Sequence, residues 1–191
     1  MKFLYLKHIE IPFVDKDKIW SICPYTGSLM YEKLTKENSQ NKFPKKVVNA
    51  LEYCNNPYMC KVNSEPEIIY SEDRQNRLIG IYNKFIKIDN NRFYFNRIYS
   101  SFKNYLFLDT HEAIANIWYL PIKTDLKRQM CLQRTFLAAK ISESFESKGI
   151  IFIGAFLPTG NMHAWIIEDG TQPDSNDRVW INYRPLLAFY Y

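Results

Sequence analysis

Apolar positions along the chain change period several times, and each change marks an element. Ile9, Ile11 and Phe13 alternate with other residues, and Ile19-Trp20-Ser21-Ile22 follows the polar turn Asp15-Lys16-Asp17-Lys18. This pattern predicts two short strands within residues 3–23. Pro24-Tyr25-Thr26-Gly27-Ser28 then leads into an expected helix carrying Leu29, Tyr31 and Leu34, and Val47, Val48 and Leu51 predict a second from Pro44 to about Cys54. Residues 55–75, with Asn55, Asn56, Pro57, Asn63, Ser64 and Pro66, have the composition of a boundary.

Beyond Leu78 the spacing of Phe95, Ile98, Tyr99, Phe102, Tyr105 and Leu106 predicts a helix over about 92–107. Asp109 and Glu112 open another in capping-box spacing, ending before Pro121. From Cys131 to Lys148 one amphipathic helix is expected, with Leu132, Phe136, Leu137, Ile141 and Phe145 inward and Gly149 as its stop. Ile150–Phe156 is a buried strand, Pro158-Thr159-Gly160-Asn161 a turn, Met162–Ile167 a second strand, and Asp169-Gly170 a hairpin turn. The class is α+β, with residues 1–75 as a small module and 76–191 as a second unit.

Composition narrows the function. The 191 residues are 47% hydrophobic and 16% aromatic with only 6 glycines, which excludes disordered and fibrous classes. The longest apolar stretch, around Gly149 to Pro158, is about ten residues, short of the ~20 a spanning helix needs. With no export signal at the N-terminus, a cytoplasmic protein without membrane insertion is expected. The net charge of +5 is concentrated in residues 76–130, which hold nine basic against four acidic side chains. A basic, aromatic segment can bind nucleic acid, but stacking requires exposed rings, and these fall on one helical stripe. No nucleic-acid partner is expected.

Four cysteines, Cys23, Cys54, Cys60 and Cys131, form no CxxC pair, so neither a zinc ribbon nor a redox motif is present, and reduced thiols are expected. No nucleotide-binding or zinc-hydrolase motif occurs, and no cofactor or metal is expected. Cys131 stands at a helix start beside Lys127, Arg128 and Arg134, where the helix dipole and positive charge favour a thiolate. His163 lies on a strand one helix and one strand later. In a two-residue hairpin Asp174 opposes Trp165 and shares a face with His163, placing it to orient the ring. Helix cysteine, strand histidine and strand aspartate are the parts of a nucleophile, a general base and an orienting acid. A lone helix cysteine is otherwise a small core residue; His8 and His111 are taken as structural.

The run Cys131-Leu132-Gln133-Arg134, then Gly149, then His163-Ala164-Trp165, a turn and an acidic group, resembles the transglutaminase-like cysteine peptidases of lasso-peptide biosynthesis. These B proteins, of the microcin-processing type, remove the leader from a ribosomally made precursor. The resemblance spans about Cys131 to Tyr183 and implies Cys131 as nucleophile, His163 as general base and an acid a dozen or so residues later: Asp174, with Asp177 in reserve. Ile167 stands where the family often has glutamate. The resemblance also implies a papain-like fold with a catalytic helix on an antiparallel sheet. It implies a winged-helix-like N-terminal module that captures the leader as an added strand, and a separate ATP-dependent cyclase as partner. The Cys131 backbone N–H is the expected first oxyanion donor, and Gln129 or Gln133 the second. Two rivals are an acyl transferase using the same thioester and a non-catalytic peptide-binding scaffold.

Overall fold

The run Gly149-Ile150-Ile151-Phe152-Ile153-Gly154-Ala155-Phe156 is apolar at nearly every position, which suits a strand covered on both faces. In the computed structural model, which describes residues 6–24, 27–34, 43–62, 72–73, 76–80, 109–118, 130–173 and 179–191, that strand is central. In chain order the elements are β1 (Lys7–Glu10), β2 (Phe13–Asp15), β3 (Lys18–Ile22), β4 (Leu29–Lys33), α1 (Lys45–Asn55), β5 (Lys61–Val62), α2 (Thr110–Trp118), α3 (Met130–Ile141), α4 (Ser144–Lys148), β6 (Gly149–Phe156), β7 (Asn161–Glu168), β8 (Thr171–Gln172) and β9 (Arg184–Tyr190). Short 3-10 turns occupy Pro57–Met59 and Val179–Asn182. The larger sheet runs β1-β9-β6-β7-β8-β5, antiparallel except for the β5–β8 pair, and the smaller runs β2-β3-β4. The class is α+β.

Alternation along β6 and β7 divides the core. Ile151, Ile153, Ala164 and Ile166 pack with Phe136, Leu137, Ile141 and Phe145 of α3 and α4. Ile150, Phe152, Trp165 and Ile167 pack on the other side with Val47 and Ala50 of α1. Each fully buried Phe or Leu contributes roughly 1.5–3 kcal/mol. β1, from before residue 75, lies at the edge beside β9, so elements from both sides of that position share one sheet.

Local chemistry explains where the structure departs from the periodicity. The first expected strand is two: the Ile11 N–H still bonds the Leu186 carbonyl at 2.8 Å, but Pro12 has no N–H to continue, and Phe13 opens the second sheet. The helix expected over Leu29, Tyr31 and Leu34 is strand β4. Gly27, at φ 69°, closes a tight turn, and Tyr31 pairs with Trp20, ring centroids 5.2 Å apart. Leu29 and Tyr31 are two residues apart, a strand spacing, and the cross-strand aromatic pair decides the outcome. The helix expected from Cys131 to Lys148 breaks after Ile141, where the Ser142 hydroxyl, one residue before the Glu143 N-cap position of α4, accepts the Phe145 N–H at 3.2 Å. Gly149 does stop that helix, in extended rather than left-handed geometry; a Cβ there would lie 2.0 Å from the Phe145 ring. The helix expected over 92–107 lies outside the described residues.

Gly154 faces His163 across β6 and β7 and sits at an irregularity in the β6–β9 ladder. A Cβ there would stand 2.3 Å from the Arg184 carbonyl oxygen and 2.7 Å from the Trp165 ring. Backbone cannot yield as a flexible side chain does. Gly154→Ala is expected to destabilise the protein by about 2 kcal/mol, and a urea midpoint equal to that of the parent would refute this close approach.

Candidate functional site

The sequence places Cys131 second in α3, in the turn whose N–H groups lack intrahelical acceptors. The helix start meets the open side of β7. A two-residue turn at Asp169-Gly170 pairs Glu168 with Thr171, so the even-numbered residues of β7 direct their backbone groups away from β6. β8 is too short to cover the rest, and from Asn161 to Ile167 this edge carries no strand among the described residues. Thr135, one turn after Cys131, donates its hydroxyl to the Ala164 carbonyl at 3.3 Å, and the Ala164 N–H bonds the Cys131 sulfur. Two residues one turn apart on α3 thus occupy both backbone groups of one edge residue.

His163 immediately precedes that residue and hydrogen-bonds Cys131. Burial pushes the Cys131 thiol up, but the hydrogen bond and charge of His163, the Ala164 N–H and the Arg134 guanidinium together hold it below its ordinary value. The other thiols go the opposite way. Burial drives Cys54 far up despite the indole N–H of Trp165, and it pushes Cys60 up to about 11. All four cysteines are free thiols. Of these three thiols, Cys131 alone is held below its ordinary value.

Two aromatic rings lie against the half-buried histidine. Trp165 lies nearly parallel to it, 14° between planes and centroids 6.1 Å apart, and Tyr183 stands 5.2 Å away at 43°. Trp165 in turn stacks on Phe152 at 5.8 Å and on Trp180 at 6.1 Å.

The structure therefore brings Cys131 and His163 together. Asp174, Asp177, Gln129, Lys127 and Arg128 lie outside the described residues, as does the side chain of Gln133. The hairpin expected to set Asp174 opposite Trp165 has one paired position, Glu168 with Thr171; Gln172 instead lies in register with Val62 of β5. His111 bonds the Pro173 carbonyl through Nδ1 and lines a cavity of about 320 Å³ with Thr110, Ser144 and Glu168. Glu168 is five residues along β7 from His163, roughly 16 Å at strand rise, so that cavity is separate from the cysteine.

Three contributors escaped the sequence pattern. Gly154 had a usable signal, a lone glycine in an apolar strand, which marks close backbone approach. Thr135 had a weaker one, the i+4 spacing from Cys131 on one helix face. Tyr183 had none, since its approach to His163 depends on how the chain returns between β8 and β9.

The smaller sheet stands at the same end of the molecule. Phe13, Trp20 and Leu29 pack against the same core cluster as Leu132, and a Cβ on Gly160, three residues before His163, would meet the Leu29 side chain at 3.9 Å. Among the described residues, no helix is long and apolar enough to cross a membrane. No family model, curated protein or solved structure matches this chain.

Proposed function

We propose that the protein is a cysteine peptidase that removes the leader from a ribosomally made lasso-type precursor. The observation that carries the reading is a thiol at a helix start, held below its ordinary pKa and hydrogen-bonded to a histidine on an open strand edge. The resemblance of the surrounding motif supplies the substrate class. In the proposed cycle the Cys131 thiolate attacks the scissile carbonyl, and the developing oxyanion receives the Cys131 backbone N–H. The C–N bond breaks as the His163 imidazolium protonates the leaving amine, leaving a thioester. His163 then takes a proton from water, which attacks the thioester and releases the carboxylate product and the thiol. A third, orienting group is assigned to Asp174, with Asp177 as the alternative, on the motif alone. The partner ATP-dependent cyclase is likewise part of the proposal, and would close the ring on the freed amine.

Met162 supports a way of presenting substrate. Its backbone groups face the open edge of β7 by the same alternation as Ala164, one residue before His163. An extended peptide added there would carry its carbonyl toward Cys131. The test is incubation of a synthetic precursor with the purified protein, with products resolved by mass spectrometry. A free carboxylate at the leader's end supports hydrolysis, whereas transfer to an added amine would replace this reading with acyl transfer.

Leader capture is assigned to β4. The bonds from Cys23 N–H to the Ser28 carbonyl and from Leu34 N–H to the Asp17 carbonyl set the pairing phase of the smaller sheet. The backbone groups of Leu29, Tyr31 and Lys33 therefore point outward, and no strand covers them among the described residues. Met30, Tyr31 and Leu34 are exposed beside this edge. Lys33→Pro removes an outward N–H that the sheet does not use and leaves the Trp20–Tyr31 pair in place, so the fold should survive. Leader binding by calorimetry is expected to weaken about tenfold, the value of roughly one hydrogen bond; unchanged affinity would move capture elsewhere.

A further inference from the structure

We propose that Tyr183 is a positioning residue which, with Trp165, clamps the His163 imidazole against the Cys131 thiol. The inference rests on the peptidase reading for its effect on turnover, but not for its effect on the thiol. A histidine on a strand turns about two side-chain torsions, and a hydrogen bond to sulfur fixes one ring atom but not the plane of the ring. The rings packed against it act on that plane, whatever acid orients the far nitrogen.

Trp165 supplies one jaw and cannot easily move. It stacks on both Phe152 and Trp180, and its ring lies 2.7 Å from where a Gly154 Cβ would be. Tyr183 supplies the other jaw, its ring 5.2 Å from the imidazole. Its backbone N–H bonds the Trp180 carbonyl at 2.9 Å, and its ring meets Phe156 at 6.3 Å. Trp180 therefore fixes both jaws, one through its ring and one through its carbonyl. The contacts are of the tilted and offset type that aromatic rings prefer, within the 4.5–7 Å range of attractive pairs. Nothing in this geometry requires the tyrosine hydroxyl; the ring itself does the holding.

The test compares Tyr183→Phe with Tyr183→Met, following Cys131 alkylation by iodoacetamide at neutral pH, site by site in the mass spectrometer. Misorientation of a catalytic group by about 1 Å can cost a hundredfold, so the methionine variant is expected to lose about tenfold or more in alkylation rate. Precursor cleavage should fall by a similar factor in kcat with KM within about twofold, and phenylalanine should restore both. Alkylation in the methionine variant equal to the parent, or a phenylalanine variant as slow as methionine, would overturn the clamp. A second measurement needs no change at Tyr183. A nuclear Overhauser contact is expected between the His163 ring protons, identified among three histidines by their loss in His163→Gln, and the Tyr183 ring protons. Its absence would overturn the proposal. If alkylation behaves as expected while the parent cleaves no precursor, the clamp stands and the peptidase reading falls.

Discussion

Replacing Cys131 with alanine should reduce precursor cleavage by about a thousandfold or more, because the residues of a nucleophile–base pair act as a unit and what remains is binding and oxyanion stabilisation. The structural cost should be small by comparison. Cys131 is only half-buried, and loss of its sulfur removes bonds to His163 and the Ala164 N–H while Thr135 still ties α3 to the Ala164 carbonyl. A destabilisation of roughly 1 kcal/mol is the scale to expect, so circular dichroism and leader affinity should match the parent. Separating these readouts matters. A variant that binds leader normally and cleaves nothing identifies a nucleophile, whereas cleavage at the parental rate would end the peptidase reading outright. Cys54→Ala and Cys60→Ala make the contrast, since burial holds both thiols protonated; neither should remove cleavage in a protein that remains folded.

What the sequence revealed depended on how local each determinant is. The apolar run of β6, the Asp169-Gly170 turn and the inward face of α3 are written in neighbouring residues, and they appear in the structure where the periodicity puts them. The β4 segment departs from the expected helix because Leu29, Tyr31 and Leu34 fit either period, and the pairing of Tyr31 with Trp20 lies outside the local pattern. The break after Ile141 turns on one hydroxyl, Ser142, competing for a backbone N–H. For the site, Cys131 and His163 were visible as residue types in suitable settings, and the fold brings them into contact. The free edge of β7, which lets a helix from one face meet a histidine that shares a face with Trp165, was not visible. It follows from β8 pairing with β7 at a single position, a fact about termination that no periodicity encodes.

That edge geometry gives the second large expectation, for His163→Gln. The thiolate fraction of Cys131 rises with pH through its pKa, so anything that raises the pKa shifts the rise to higher pH. Burial raises it, and His163 opposes this through both a hydrogen bond and a charge. Glutamine keeps a side chain able to bond sulfur but carries no charge, and the burial remains. The thiol should therefore titrate higher in the variant, and one unit of displacement is a tenfold loss of thiolate at any pH below both values. Alkylation of Cys131 at neutral pH should slow by about tenfold or more, and the two rates should converge once the pH exceeds both pKa values. Cleavage should fall further, by about a thousandfold, because the leaving amine has also lost its proton donor. These two magnitudes test different things. The alkylation profile reports how far His163 lowers the thiol's pKa, and cleavage reports the proton transfer to the amine. If the variant's alkylation profile superimposed on the parent's, the hydrogen bond between Cys131 and His163 would not be what activates the thiol, whatever happened to turnover. If alkylation shifted as expected but cleavage did not change, His163 would tune the sulfur without acting as the acid, and another group would have to protonate the amine.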